Sequence, residues 1–352
     1  MKVNIGVIGV GKRFLNVYLP LIKKLDNHFE IGGFFTRTRS NGVEIENKNG
    51  LKYFESIEYL LEKSNPDILL VCVNENVSLD IISTLENFKN KLPILIETPV
   101  TNIDLVRKCL SVGFTVSVAE QWPYLPLEQF KKSFLDSCLI SQPFLVQNDC
   151  RSFDYHAIAQ LRTYLGRDNT PKIASGQNIT IQSPLFLNNK DKEDQSLESW
   201  DIGSVKFNNG AILVHNFSYL CKTAPYRTLQ SLRIYSENGS VLTGKINNKD
   251  NDYEILDFRF LNNKETETLN PIIKRDENGN VRSITSSMIK VMWENPYKES
   301  LTDQESAIAH LLQEIASGRN VYSVKDAFID NLIISGIKQS CMREGMISFP
   351  QL

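Results

Sequence analysis

Val3-Asn-Ile-Gly-Val-Ile-Gly-Val-Gly-Lys-Arg-Phe14 is the stretch whose reading decides the fold. Val3, Ile5, Val7 and Ile8 form an apolar run of β type that breaks into Gly9-Val10-Gly11. A helical stripe of Leu15, Tyr18, Leu21, Ile22 and Leu25 follows. Strand, glycine turn and helix in that order build an anion cradle. The first glycine permits a tight turn, the second lets a pyrophosphate approach bare backbone, and the helix N-terminus offers free N–H groups and a positive dipole end. Gly9, Gly11, Lys12, Arg13 and Phe14 are therefore the candidate phosphate-side contacts of a dinucleotide. Phe14 stands where the G-x-G-x-x-G pattern has its third glycine, so helix and strand are expected to pack less closely there.

The next strand, Ile31 to Phe35, runs into Thr36-Arg37-Thr38-Arg39-Ser40. In NAD-binding units an Asp or Glu about 20 residues past the glycines takes the ribose 2′-hydroxyl. No acid lies at this strand end. Two threonine hydroxyls and two guanidiniums stand there instead, a donor set suited to a 2′-phosphate. Thr36, Arg37, Thr38 and Arg39 make NADP(H) the expected carrier, with NAD(H) as the alternative.

Outward from this unit, residues 1–121 alternate between strand and helix. Asp67 to Val73, Leu92 to Ile96 and Phe114 to Ala119 are continuous apolar runs, as buried parallel strands require. Helical stretches are expected at 56–63, 78–88 and 102–112. The βαβ alternation predicts a doubly wound parallel sheet, an α/β domain of Rossmann type. After residue 122 the pattern changes. Helices over 127–137 and 154–165 precede alternating strands joined by Asn208-Asn209-Gly210 and Glu237-Asn238-Gly239, which predicts an antiparallel sheet and an α+β domain over 122–352. One face of that sheet needs helices; the other is open to a second subunit. Asn188 to Ser199, with alternating charges, reads as a solvated loop or flap. Two closing helices are signalled by a capping box at Thr302 and Glu305 and a looser one at Ser323 and Asp326.

Composition narrows the function classes. At 352 residues, 41% hydrophobic, the chain can bury two cores. A net charge of −2 gives no footprint for nucleic acid or an anionic membrane. No apolar run reaches the length of a membrane span, and the first strand starts almost at Met1, so a cytoplasmic protein is expected. The six cysteines, Cys72, Cys109, Cys138, Cys150, Cys221 and Cys341, are scattered, and most read as buried thiols. No His or Cys lies at metal-ligand spacing, so no metal is expected.

Further segments carry a resemblance. Besides the glycine turn, these are Glu97-Thr98-Pro99, Ala119-Glu-Gln-Trp-Pro-Tyr-Leu-Pro126, Tyr155-His156 through Gly166, and Ser317 through Ala327. In that order and spacing the chain resembles, over essentially its whole length, the Gfo/Idh/MocA family of glucose–fructose oxidoreductase and inositol dehydrogenase. The resemblance implies a Rossmann domain followed by a domain with a large, mostly antiparallel open sheet. It also implies hydride transfer between a nicotinamide cofactor and a sugar or polyol carbon. Cofactor contacts carried over are Val73, Asn74 and Glu75 (where the family has Thr-Pro-Asn), Ser78 (a histidine there), Glu97, Thr98 and Gln121. Homodimers or homotetramers are usual, through the C-terminal sheet. The catalytic pattern is only partly kept. Thr98 replaces the lysine of Glu-Lys-Pro, Ser152 and Ala159 replace two acids around His156, and Gln121-Trp122-Pro123 replaces Asn-x-Arg.

His156 is the leading proton donor, since imidazole titrates near neutrality. Asp154 is placed to orient it, although a carboxylate at a helix start is as often a cap. Tyr124 is a second acid candidate. Thr98, Trp122, Arg151 and Arg162 are candidate substrate contacts, with a structural ion pair the competing reading of Arg162. His215 shares a strand face with Leu213 and Phe217, which favours a core role. Family branches without the lysine include reductases of conjugated or imine substrates. The first expectation is therefore an NADPH-dependent reductase of C=O or C=N in a small metabolite. The usual sugar or polyol dehydrogenase is the second, and a non-catalytic NAD(P)-binding sensor the third.

Overall fold

The computed structural model describes residues 2–88, 91–150, 154–184, 195–218, 229–247, 252–286 and 291–350. It divides into two compact units, Met1–Leu125 with Pro296–Ile329, and Pro126–Asn295 with Asp330–Leu352. The boundary expected after residue 121 falls at Leu125, and the expectation that everything beyond it forms one domain is corrected. Residues 296–329 return to the first unit. The reason is hydrophobic: Tyr297, Leu301, Ile308, Leu312 and Ile315 join the same buried cluster as Ile5, Val7, Tyr18, Leu21 and Leu25.

The chain opens with β1 (Val3–Ile8), a π-helical turn (Phe14–Tyr18) and α1 (Leu19–Lys24). Then come β2 (Phe29–Phe35), α2 (Arg39–Asn49), β3 (Tyr53–Phe54), α3 (Ile57–Ser64), β4 (Ile68–Val71) and α4 (Glu75–Leu85). β5 (Ile94–Ile96), α5 (Ile103–Ser111) and β6 (Val116–Val118) complete the alternation. The six strands pair in parallel in the order β3-β2-β1-β4-β5-β6, a doubly wound sheet whose switch point lies between β1 and β4. β1 and β4 are buried throughout their paired length, which is why their sequences are continuous apolar runs. α2 begins at Arg39, inside the Thr36–Ser40 stretch that follows the second strand, and α2 and β3 go beyond the helices and strands expected from sequence.

In the second unit α6 (Pro126–Asp136), β7 (Leu145–Asp149) and α7 (Asp154–Leu165) lead into the long strands β8 (Pro171–Pro184) and β9 (Gln195–Phe207). β10 (Ile212–Ser218), β11 (Leu229–Ser236), β12 (Gly239–Asn247), β13 (Asp252–Asn262) and β14 (Glu265–Leu269) follow. A small sheet of β15 (Pro271–Arg275), β16 (Val281–Ser286) and β17 (Met292–Glu294) comes next. α8 (Asp303–Ala316) belongs to the first unit; α9 (Val324–Arg343) begins there and ends in the second, with β18 (Ile347–Ser348) after it. The nine-stranded sheet has the order β14-β13-β12-β11-β7-β10-β9-β8-β18. Only β7 and β10 pair in parallel; the rest are antiparallel, as the hairpin turns require. The tract expected as a loop is corrected in part: Gln195 to Ser199 are strand in β9, while 188–194 lie outside the described residues. Both capping signals are present. Thr302 and Glu305 bond reciprocally at α8, and Ser323 Oγ accepts from Asp326 N at 3.0 Å before α9. Among the described residues no helix is long and apolar enough to cross a membrane.

Candidate functional site

The glycine turn has the geometry that its two glycines demand, for two different reasons. Gly9 adopts φ +88°, and a Cβ there would lie 2.5 Å from Val73 Cγ1 and 2.8 Å from the Cys72 carbonyl oxygen. Its side-chain-free, left-handed backbone is therefore imposed by the protein itself. Gly11 is the reverse case: a Cβ there would meet nothing within 4 Å. The backbone at Gly11 faces open space at the start of a helix, as a cradle for a phosphate requires. Lys12 beside it is exposed. Phe14 is not part of the cradle. Its side chain is 0% exposed and packs in the core cluster, where the helix widens into the π turn, so a cofactor contact for Phe14 is corrected to a core role.

Under the turn lies a polar cluster. Glu97, which follows β5, accepts hydrogen bonds from the Tyr18 hydroxyl and from Arg13 Nε at 3.4 Å. The Arg13 guanidinium lies 5.6 Å from the Tyr18 ring centroid. Burial, then the Glu97 charge, push the Tyr18 hydroxyl well above its ordinary range; burial and Glu97 do the same to the Cys72 thiol. Glu97 thus fixes Arg13 and Tyr18 rather than standing open. Tyr18 is the residue that the sequence reading missed. A lone hydroxyl in an otherwise aliphatic stripe was the available signal, because a buried tyrosine needs a partner.

The other carried-over positions divide between cradle and scaffold. Thr36 and Arg37 follow β2 directly; Arg37 is exposed. Arg39 opens α2 and pairs with Glu55 at 3.0 Å on the surface, and Thr38 is the α2 N-cap residue. Val73 packs beneath Gly9. Asn74 caps α4 by accepting from Val77 N at 3.1 Å. Glu75 accepts from the backbone N–H groups of Thr101 at 2.6 Å and Asn102 at 2.9 Å, so it ties down the segment after Thr98-Pro99. Ser78 is buried and its hydroxyl donates to the Asn74 carbonyl at 3.2 Å. Glu75 and Ser78 are scaffold, a correction with a plain cause: their polar atoms are used within the chain. Thr98 is half-buried, in a cis peptide bond to Pro99. Gln121, just past β6, is buried with Oε1 lacking a partner. Trp122 begins a short 3-10 turn, Trp122–Tyr124, its N–H donating to Glu120 at 3.2 Å. The Tyr124 hydroxyl donates to the Val321 carbonyl and the ring lies against His310, which corrects Tyr124 from acid candidate to packing residue.

In the second unit, Asp154 and His156 share the first turn of α7. His156 is half-buried, its ring 4.3 Å from that of Tyr155. Asp154 accepts from Lys338 Nζ at 3.3 Å, while its Oδ1 is buried without a hydrogen-bond partner. Burial raises its pKa, opposed by the charge of Lys338. It holds φ +43°, a left-handed conformation uncommon outside glycine. Arg162 is corrected as a substrate contact. It is fully buried, with Nη1 on Asp330 Oδ1 at 2.7 Å and Nη2 on the Arg167 carbonyl at 2.7 Å. Its charge therefore belongs to the core. His215 has the core role expected: it is buried, bonded through Nδ1 to Asn148 at 3.3 Å and stacked on Phe217. Burial, then the Lys338 charge, push its pKa down to about 4. Arg151, Ser152 and Cys221 lie outside the described residues.

Comparison with known proteins agrees with the fold. Residues 3–112 match the sequence model GFO_IDH_MocA, described as an oxidoreductase family with an NAD-binding Rossmann fold. No curated protein matches the chain. Solved structures share the fold at low identity. An oxidoreductase from Thermotoga maritima is 18% identical, with a TM-score of 0.60 and coverage of 99% of this chain and 98% of that one. The WlbA dehydrogenase from Bordetella pertussis, in complex with NADH and UDP-GlcNAcA, is 13% identical, with a TM-score of 0.64 and coverage of 100% of both chains. The transcriptional regulator Gal80p from Kluyveromyces lactis is 13% identical, with a TM-score of 0.69 and coverage of 99% and 94%. Residues 3–112 are therefore the NAD-binding Rossmann domain of the Gfo/Idh/MocA oxidoreductase family, whose members are generally NAD(P)-dependent enzymes.

Proposed function

We propose that the chain is an NADPH-dependent reductase acting on a C=O or C=N bond of a small metabolite. The observation that carries the reading is the pairing of an open cradle at Gly11 with a strand end that bears hydroxyls and guanidiniums and no carboxylate. The residues present fit the cofactor. The backbone from Gly9 to Gly11, with Lys12 and Arg13, would hold the pyrophosphate. Thr36 and Arg37 would hold the 2′-phosphate, Arg37 being the guanidinium there with no ion-pair partner among the described residues. The orphaned Oε1 of Gln121 would accept from the nicotinamide carboxamide. When bound, NADPH supplies hydride. The chain's own task is then to deliver one proton to the heteroatom of the reduced bond, and the His156 imidazole N–H is the group assigned to it. Asp154 lies in the same helical turn, where it would orient the imidazole. Thr98 carries no charge and no acid near neutrality, so hydride acceptance rests on an electrophile already activated by its own conjugation.

Fluorescence titration tests the cofactor assignment. Losing one charge-assisted bond to phosphate costs about 1.5–3 kcal/mol, or roughly 10–150-fold in Kd. Arg37→Glu should weaken NADPH by at least that much and leave NADH nearly unchanged; equal wild-type affinity for both carriers overturns the reading. His156→Ala should lower kcat about 10²–10⁴-fold on a carbonyl or imine substrate, with NADPH affinity intact. A second reading, a nucleotide-binding sensor without turnover, is favoured by Thr98 and by the likeness to Gal80p. It predicts tight NADPH binding with no oxidation of it by any member of a carbonyl and imine panel. For assembly, the face of the nine-stranded sheet carrying Ile179, Ile202 and Ile212 exposes aliphatic side chains, and a homo-oligomer through it is the reading proposed. Ile202→Lys should lower the mass measured by light scattering; an unchanged mass argues against that face.

A further inference from the structure

An open cavity at the surface of the second unit is the strongest feature that the reductase reading does not use. It holds about 550 Å³ and is lined by Asn178, Ser199, Asp201, Lys338, Cys341 and Met342. Its origin is a change of spacing between β8–β9 and the end of α9. At the paired glycines Gly176 and Gly203 the helix presses onto the strands. A Cβ on Gly203 would come within 2.4 Å of Ile337 Cγ2, and one on Gly176 within 2.7 Å of the Ile337 carbonyl oxygen. Two residues along each strand, on the same face, the next register pair is Asn178 with Asp201, and after it Thr180 with Ser199. There the strands carry polar side chains, opposite Cys341 and Met342 of the helix end, and the space opens.

Asp201 is the decisive group. It is 5% exposed, and no ion pair to it exists among the described residues. Asn178 Nδ2 donates to its Oδ1 at 2.5 Å and to Ser199 Oγ at 2.7 Å, which fixes the carboxylate and leaves Oδ2 to the cavity. A buried carboxylate with one hydrogen bond and no cation is costly, by several kcal/mol as a rule. The cation within the cavity wall, Lys338, is held by Asp154 at 3.3 Å instead. Asp201 and Lys338 thus share the cavity wall while the ammonium pairs with Asp154, so the two carboxylates and one ammonium carry a net negative charge that one more positive charge neutralises.

We infer that this cavity binds a ligand bearing a protonated amine, with the ammonium on Asp201 Oδ2 and adjoining hydroxyls on Ser199 and Asn178. An ammonium brings both the missing charge and up to three donors. The volume suits a small metabolite. That this ligand is also the molecule reduced rests on the reductase reading; the site itself stands on the second unit alone. Three probes of one length test it on the nucleotide-free full chain by calorimetry: D-glucamine, D-sorbitol and D-gluconate. Glucamine should bind at least tenfold more tightly than sorbitol, and gluconate should not bind. Glucamine should also slow alkylation of Cys341, read by peptide mapping. Asp201→Asn, which keeps the shape and the Asn178 contact, should erase the preference while leaving NADPH titration unchanged. Equal affinity for the three probes, no binding of glucamine, or a preference that survives in Asp201→Asn overturns the site. Loss of NADPH binding alone would instead overturn the reductase reading and leave this one standing.

Discussion

Replacing Gly11 by alanine separates a cradle from an ordinary turn, and Gly9→Ala provides the contrast. At Gly11 the added methyl meets no protein atom within 4 Å, and the backbone is not left-handed. Folding should lose nothing. The stiffer unfolded chain should even add about 0.4–1 kcal/mol, raising the melting temperature of the unit by roughly 1–4 °C. The methyl does occupy the space through which a pyrophosphate approaches the N–H groups. Loss of one such bond is worth about 1.5–3 kcal/mol, so Kd for NADPH should rise roughly 10–150-fold. At Gly9 the same methyl collides with Val73 at 2.5 Å and with the Cys72 carbonyl at 2.8 Å, at φ +88°. Left-handed strain of about 1–2 kcal/mol and overpacking of about 1–3 kcal/mol should together lower stability by roughly 2–5 kcal/mol. Scanning calorimetry with fluorescence titration measures both quantities on each variant. A Gly11→Ala protein that binds NADPH like the wild type, or that melts as early as Gly9→Ala, would refute the division of labour between the two glycines.

Arg162→Met should destabilise the second unit by about 3–5 kcal/mol in urea unfolding, since it strands the Asp330 carboxylate in the core. Adding Asp330→Leu to it should recover most of that loss; full stability in the single variant would mean that the pair is not buried as described. His215 makes stability depend on pH. Its folded pKa of about 4 lies below the ordinary 6.5, so between those values the unfolded chain takes up a proton that the fold refuses. Stability is complete above pH 6.5 and is lost as pH falls toward 4, by about 2 kcal/mol between pH 7 and pH 5. The slope over that window should flatten in His215→Gln, and a wild-type slope retained there would exclude His215 as its source.

The βαβ alternation was legible because its signals are local. β1 and β4 announce themselves as apolar runs, the caps at Thr302 and Ser323 as spaced hydroxyl–acid pairs, and the glycine turn by residue type alone. The candidate site was legible only where backbone conformation carries the chemistry, as at Gly9 and Gly11. Side chains whose role depends on distant partners were not. Tyr18 read as one more apolar position until Glu97, 79 residues away, supplied its acceptor. Arg162 offered a charge that only Asp330, 168 residues on, assigns to the core.

By itself, then, the sequence determined the strand–turn–helix cradle, the parallel sheet and the change to antiparallel strands, since periods of two and 3.6 residues and turn chemistry act between near neighbours. Tertiary structure alone decided that residues 296–329 return to the first unit, that Phe14 is core rather than cradle, and that α9 presses on Gly176 and Gly203 but leaves room at Asp201. Those outcomes follow from burial of apolar surface and pairing of charge across long chain separations, and such energies exist only once the chain has closed on itself.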